Sequence, residues 1–112
     1  MKIVDPNKMD ISPNPHGVDA KTIYDTENAQ VVHMTLKPGE SLKKHMPPVD
    51  VFFYVLEGKG MLEIGDEQQE IGSDMLIDSP KGIPHRWHNR SQDVLRILVG
   101  KVPRQKENTR IL

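Results

Sequence analysis

Apolar and polar residues alternate through the middle of this chain in short runs, each closed by glycine or proline. In residues 29–36 (AQVVHMTL), Val32, Met34 and Leu36 fall on one side of a period-two pattern, and Val31, His33 and Thr35 on the other. Successive side chains of an extended strand point to opposite faces, so this run reads as a half-buried β-strand. Residues 51–56 (VFFYVL) are apolar throughout, with Val51, Phe53 and Val55 on one face and Phe52, Tyr54 and Leu56 on the other. β-Branched and aromatic residues in such a run suit a strand covered on both sides. Further short strands are expected at 42–45, 61–64, 75–77, 85–89 and 94–102, with turns at Pro38-Gly39, Gly58-Lys59-Gly60 and Gly65-Asp66-Glu67. No segment carries a sustained helical period with caps. The pattern predicts an all-β sandwich or barrel.

The ends read differently. Residues 1–19 hold Pro6, Pro13 and Pro15, with Asn7, Asn14 and Gly17 between them, and are expected to form an irregular arm. The barrel is expected over 20–103. The tail, 104–112, is polar until Ile111 and Leu112, and is expected either to lack fixed structure or to lie across a neighbouring subunit. At 112 residues there is one core's worth of chain. A net charge of −1 gives no reason to expect nucleic acid or an anionic membrane as a partner. The absence of cysteine excludes disulfides, thiolate nucleophiles and cysteine-ligated zinc. The opening MKIVDPNKMD, broken by charges and Pro6, does not read as a signal peptide, and the six-residue run 51–56 is too short to span a bilayer. A soluble, cytoplasmic domain is the expectation.

Chemistry enters with two histidines, His45 and His85, each close to an apolar strand and each flanked by Gly and Pro. Two strands that bring imidazoles together inside a barrel would make a metal or ligand site. The spacing of these segments resembles the two motifs of the cupin family of small β-barrels. In the first, Gly39, His45 and Gly58 stand at the family's positions, but Pro47 replaces the second histidine and Val51 the glutamate. In the second, Pro80, Gly82, His85 and Asn89 all match, while the opening glycine, Gly72, lies two residues too far upstream. The resemblance covers 39–89 and implies a single-domain jelly-roll barrel, a double-stranded β-helix.

The family's metal site draws two histidines and a glutamate from the first motif and a histidine from the second. Carried over residue by residue, only His45 and His85 survive, and two imidazoles fix a divalent transition metal weakly. Asp50 is the substitute third ligand if the chain bulges after Pro48, though in regular strand geometry it points away. His88 alternates away from His85, and His33, opposite the apolar face of its strand, is expected to be exposed or at an interface. His16, on the arm, could fold over the barrel mouth. Phe53, Val55, Trp87 and Ile97 are expected to wall the cavity, with Asn89 or Arg86 at its rim; Trp87 equally suits plain core.

No Ser-His-Asp arrangement or phosphate loop is apparent, and the glycines at 58–60 mark a hairpin turn. Three functions follow from the resemblance and the histidine pair: a small-molecule-binding cupin with a reduced metal site; a metal-dependent cupin enzyme of the dioxygenase or isomerase kind; or metal-free acid–base catalysis by the two histidines. Phe52, Tyr54 and Leu56 would leave an apolar face on a monomer, so a homodimer is expected.

Overall fold

Ten strands and one short turn of 3-10 helix, Pro6–Lys8, make up the regular structure of the described residues, 1–106 and 110–112, of a computed structural model. The strands are β1 (Asp19–Asp25), β2 (Gln30–Leu36), β3 (His45–Met46), β4 (Val51–Glu57), β5 (Gly60–Ile64), β6 (Glu67–Ile71), β7 (Leu76–Ser79), β8 (His85–His88), β9 (Leu95–Lys101) and β10 (Arg110–Ile111). They form two antiparallel five-stranded sheets, ordered β1-β2-β9-β4-β7 and β10-β3-β8-β5-β6. The chain passes repeatedly between the sheets, which is the connectivity of a jelly roll.

The alternation dictates the core. Val51, Phe53 and Val55 of β4, Leu95, Ile97 and Val99 of β9, and Met34 and Leu36 of β2 turn inward and are buried, together with Trp87 of β8 from the facing sheet. Burying each large side chain contributes about 1.5–3 kcal/mol, so these few positions dominate the apolar stabilisation. Phe52, Tyr54 and Leu56 point outward and are half-buried. The Phe52 ring lies over Gly100, where an added Cβ would overlap it.

Four features depart from the sequence expectations. Strand β1, Asp19–Asp25, forms where no strand was expected, paired along β2. Strand β6 (EQQEI) has no apolar alternation, yet it pairs along its whole length with β5, from Gly60↔Ile71 to Ile64↔Glu67. A polar strand of this kind suits a sheet edge, where one side meets water. The far end of the tail, Arg110–Ile111, pairs with β3 of its own chain rather than leaving the barrel; the part of the expected tail at 107–109 lies outside the described residues. His33 is buried, 6 % exposed, because Arg96 of the neighbouring strand covers it and donates to its Nε2 at 3.1 Å.

The arm folds back on the barrel. Ser12 N–H donates to the Ala20 carbonyl at 2.8 Å. The Asn14 side chain organises the turn that follows, donating to the Ser12 and Val18 carbonyls and accepting from the His16 and Val18 N–H groups. Gly17, at φ 69°, closes that turn in a conformation side chains resist. Among the described residues no helix is long and apolar enough to cross a membrane.

Candidate functional site

The antiparallel register of β3 and β8 sets His45 directly opposite His85. Directly opposed residues share a face, so both imidazoles enter the barrel. Their Nε2 atoms lie 2.9 Å apart and the rings meet nearly edge-on, with centroids 4.4 Å apart. His16 joins them from the arm, its ring centroid 4.7 Å from that of His45. The three border a cavity of about 240 Å³ between the sheets, walled also by Val51, Phe53, Met34, Val99 and Lys101.

Hydrogen-bond partners fix the protons. The Lys43 carbonyl, 2.8 Å from His45 Nδ1, can only accept, so Nδ1 carries the hydrogen and the neutral ring presents a lone pair at Nε2. His85 Nε2–H therefore donates to His45, leaving His85 Nδ1 to accept from the buried Ser79 hydroxyl at 2.7 Å. The result is a directed chain from Ser79 through His85 and His45 to the Lys43 carbonyl. The Lys43 N–H donates to His16 Nδ1 at 3.0 Å, so neutral His16 carries its hydrogen on Nε2. One peptide segment thus sets the tautomers of two histidines.

Burial keeps these rings neutral. His85 is pushed down to about 3, chiefly by burial and then by the neighbouring His45, His16 and Lys101 charges. His16 falls to about 4 from burial, reinforced by His45, Lys43 and Lys101. His45 is also lowered by burial, against the upward pull of the Lys43 carbonyl. The Lys101 ammonium is held below its usual range by burial first and by Arg104 second.

Of the residues expected at the site from sequence, the structure places His45, His85 and Phe53 on the cavity wall. Val55, Trp87, Asn89 and Ile97 lie instead in the packed interior, outside that wall. Trp87 is fully buried, edge-on to Phe53 at 5.5 Å. The Asn89 amide is spent within the chain: it donates to the Leu36 and Asp93 carbonyls and accepts from Ser91. Arg86 turns to the outer face and pairs with Glu63 at 3.1 Å. Asp50 is exposed and accepts from the Lys81 N–H at 2.9 Å, away from the imidazoles.

Two residues of the site, Ser79 and Lys101, escaped the sequence reading. Both continue an inward alternation, Ser79 after Ile77 and Lys101 after Leu95, Ile97 and Val99, and that period was the available signal. On the outer face a further chain runs from Ser41 through His88 to Glu63, with links of 2.9 and 3.1 Å. Glu63 also binds Arg86 there.

Two sheets wound as a jelly roll, with histidines opposed across β3 and β8, define a barrel of the double-stranded β-helix class. The cupin domain model matches residues 32–100, more than half of the chain, and the protein belongs to the cupin family. It is 30 % identical over 67 residues to the tetracenomycin polyketide synthase protein TcmJ of Streptomyces glaucescens, a match covering 59 % of this chain and 45 % of TcmJ. The chain thus spans less than half the length of that curated relative. Among solved structures it resembles TT1209 from Thermus thermophilus, with 27 % identity and a TM-score of 0.79 over 94 % of this chain and all of that one. It also superposes on the polyketide cyclase RemF from Streptomyces resistomycificus, with 22 % identity and a TM-score of 0.85 over 100 % of this chain and 85 % of RemF. At that identity the likeness is one of fold.

The residues present do not fit the metal ion that the family resemblance implies. Pro47 offers no donor atom and Val51 only an apolar wall. Asp50 is tied to Lys81, and His16 cannot offer Nε2 to a metal while its Nδ1 accepts from Lys43. Among the described residues no group of three or more His, Cys, Asp or Glu side chains could hold a metal. What the arrangement can do is exchange hydrogen bonds and protons with a small molecule in a largely apolar cavity.

Proposed function

We propose that this cupin binds an organic small molecule in the cavity beside His16, His45 and His85, with at most a weakly held divalent ion. The observation that carries this reading is the neutral His45–His85 hydrogen bond opening on a cavity whose donor set falls short of a metal site. Two imidazoles without a carboxylate leave a divalent charge uncompensated in a largely apolar space, which is costly. The test is elemental analysis after dialysis against a chelator, with nuclear magnetic resonance titration against a panel of small organic molecules. Substoichiometric metal, and shifts confined to cavity residues, are expected. A tightly held transition metal at one per chain would overturn the reading and favour a metal enzyme.

A second reading has its own support. The His45–His85 pair, backed by the Ser79 hydroxyl, borders the cavity, and both TcmJ and RemF are named for polyketide chemistry. Ring closure of an oxygen-rich chain takes a proton from carbon and delivers one to oxygen, work that a neutral imidazole does without a metal once a substrate displaces the His45–His85 hydrogen bond and frees His45 Nε2 as the base. Turnover of a polyketide-like substrate that His45→Ala or His85→Ala abolishes would favour it.

We also infer a homodimer. Tyr24 on edge strand β1 and Leu76 on edge strand β7, with Met75 beside it, are more than half exposed, and such apolar edges favour burial against a second copy. A cytoplasmic location suits a chain that uses no cysteine.

A further inference from the structure

Lys101 is the part of the cavity that the small-molecule reading leaves without a role. It ends β9 on the inward face, after Leu95, Ile97 and Val99, where its neighbours across the sheet are Val51 and Gln30. A lysine brought into a barrel normally meets a carboxylate. Among the described residues Lys101 makes no ion pair or hydrogen bond through its ammonium, and no Asp or Glu lines the cavity. The nearby acid Asp25 is already taken by Arg104, itself a second cation.

Val51 occupies the position where the cupin motif carries its glutamate, and Lys101 stands directly opposite it on the neighbouring strand. The cavity is therefore reversed in charge relative to that motif: a negative ligand is gone and a positive one stands beside the gap. His16 adds a neutral donor, because Lys43 holds its Nδ1 as an acceptor and leaves the hydrogen on Nε2. The apolar remainder of the wall, with Phe53, Met34 and Val99, suits a hydrocarbon body. A volume of about 240 Å³ is on the order of eight waters' share of liquid, room for a small aromatic or branched acid.

We propose that the barrel's ligand is an organic monocarboxylate, its carboxylate held by the Lys101 ammonium and the His16 Nε2–H while its apolar body packs on Phe53. This deepens the small-molecule reading and rests on it. One cation among neutral donors matches a single delocalised negative charge better than a dianion, so inorganic phosphate should compete poorly. An anion also supplies the counter-charge that the described residues withhold from Lys101.

The test uses three probes of one shape and different charge: benzoate, benzamide and benzylamine. Each is titrated into the whole 112-residue chain at low ionic strength and followed by nuclear magnetic resonance. Benzoate should bind about tenfold or more tighter than benzamide, and benzylamine weakest. Lys101→Met should erase the gap by weakening benzoate while leaving benzamide unchanged; Lys101→Gln gives the same comparison if the first variant fails to fold. Lys101→Arg should keep part of the preference. Equal binding of benzoate and benzamide to the wild-type chain, or a gap that survives in Lys101→Met, overturns the carboxylate assignment and leaves the small-molecule reading standing. No binding of any probe at millimolar concentration, with cavity resonances unmoved, removes both.

Discussion

His85 is 3 % exposed and both of its ring nitrogens are engaged, by Ser79 and by His45. In the unfolded chain the same ring takes up a proton near pH 6.5, whereas in the barrel it holds out to about 3. The stability drawn from the neutral ring is complete above the unfolded value and is lost as pH falls from 6.5 toward the folded value. Between pH 6.5 and about pH 5 this single residue removes about 2 kcal/mol, and His16, pushed down to about 4, acts in the same direction. Urea unfolding should show a clearly lower midpoint at pH 5 than at pH 7.5; an unchanged midpoint would contradict neutral burial of His85. Ser79→Ala leaves His85 Nδ1 buried without its donor and should lower stability by about 1–3 kcal/mol, read in the same assay. The two histidines were legible in the sequence because their spacing is distinctive. Lys101 and Ser79 were not, since a polar residue at the end of a strand ordinarily marks the exit to solvent. Only the strand alongside, β4, shows that here the strand ends turn inward, Lys101 to the cavity and Ser79 to His85.

Strand β2 fell where its alternation put it and β4 and β9 where their apolar runs did, whereas β1, β6 and β10 had no such signal. β6 exists because the turn at Gly65, φ 57°, returns the chain against β5, and β10 because the chain comes back to β3. Pairing partners outside the strand itself create these elements, and no local pattern announces them. The glycine turns make a sharper claim. Gly58 sits at φ 81° between β4 and β5, and a Cβ there would overlap the backbone carbonyl of Val94. At Gly100 the obstacle is the half-buried Phe52 ring, which can swing aside. Gly58→Ala should therefore cost more than Gly100→Ala, about 2–3 kcal/mol against about 1 kcal/mol. Thermal melts of the two variants side by side would check the order, and equal losses would contradict it.

At the scale of the whole barrel, the fold was readable because period-two patterning and turn spacing are properties of the entire chain, and the cupin motifs pin two of its strands. The cavity was less readable because it is assembled from the arm, the end of β9 and the loop before β3, whose meeting depends on how the arm folds over. Light scattering at micromolar concentration should give twice the mass of the chain, and Leu76→Lys on the β7 edge should shift it toward the monomer; a monomeric wild-type protein would refute the dimer.

Strand β10 pairs with β3, and Leu112 N–H reaches the Lys44 carbonyl at 3.1 Å, so the last described residues lie one strand away from His45. For anyone handling the protein this makes the segment at 110–112 a lever on the cavity. Any chain that continues past Leu112, native or added, leaves from beside the strand that carries His45. A fluorophore placed there would report on ligands entering the barrel.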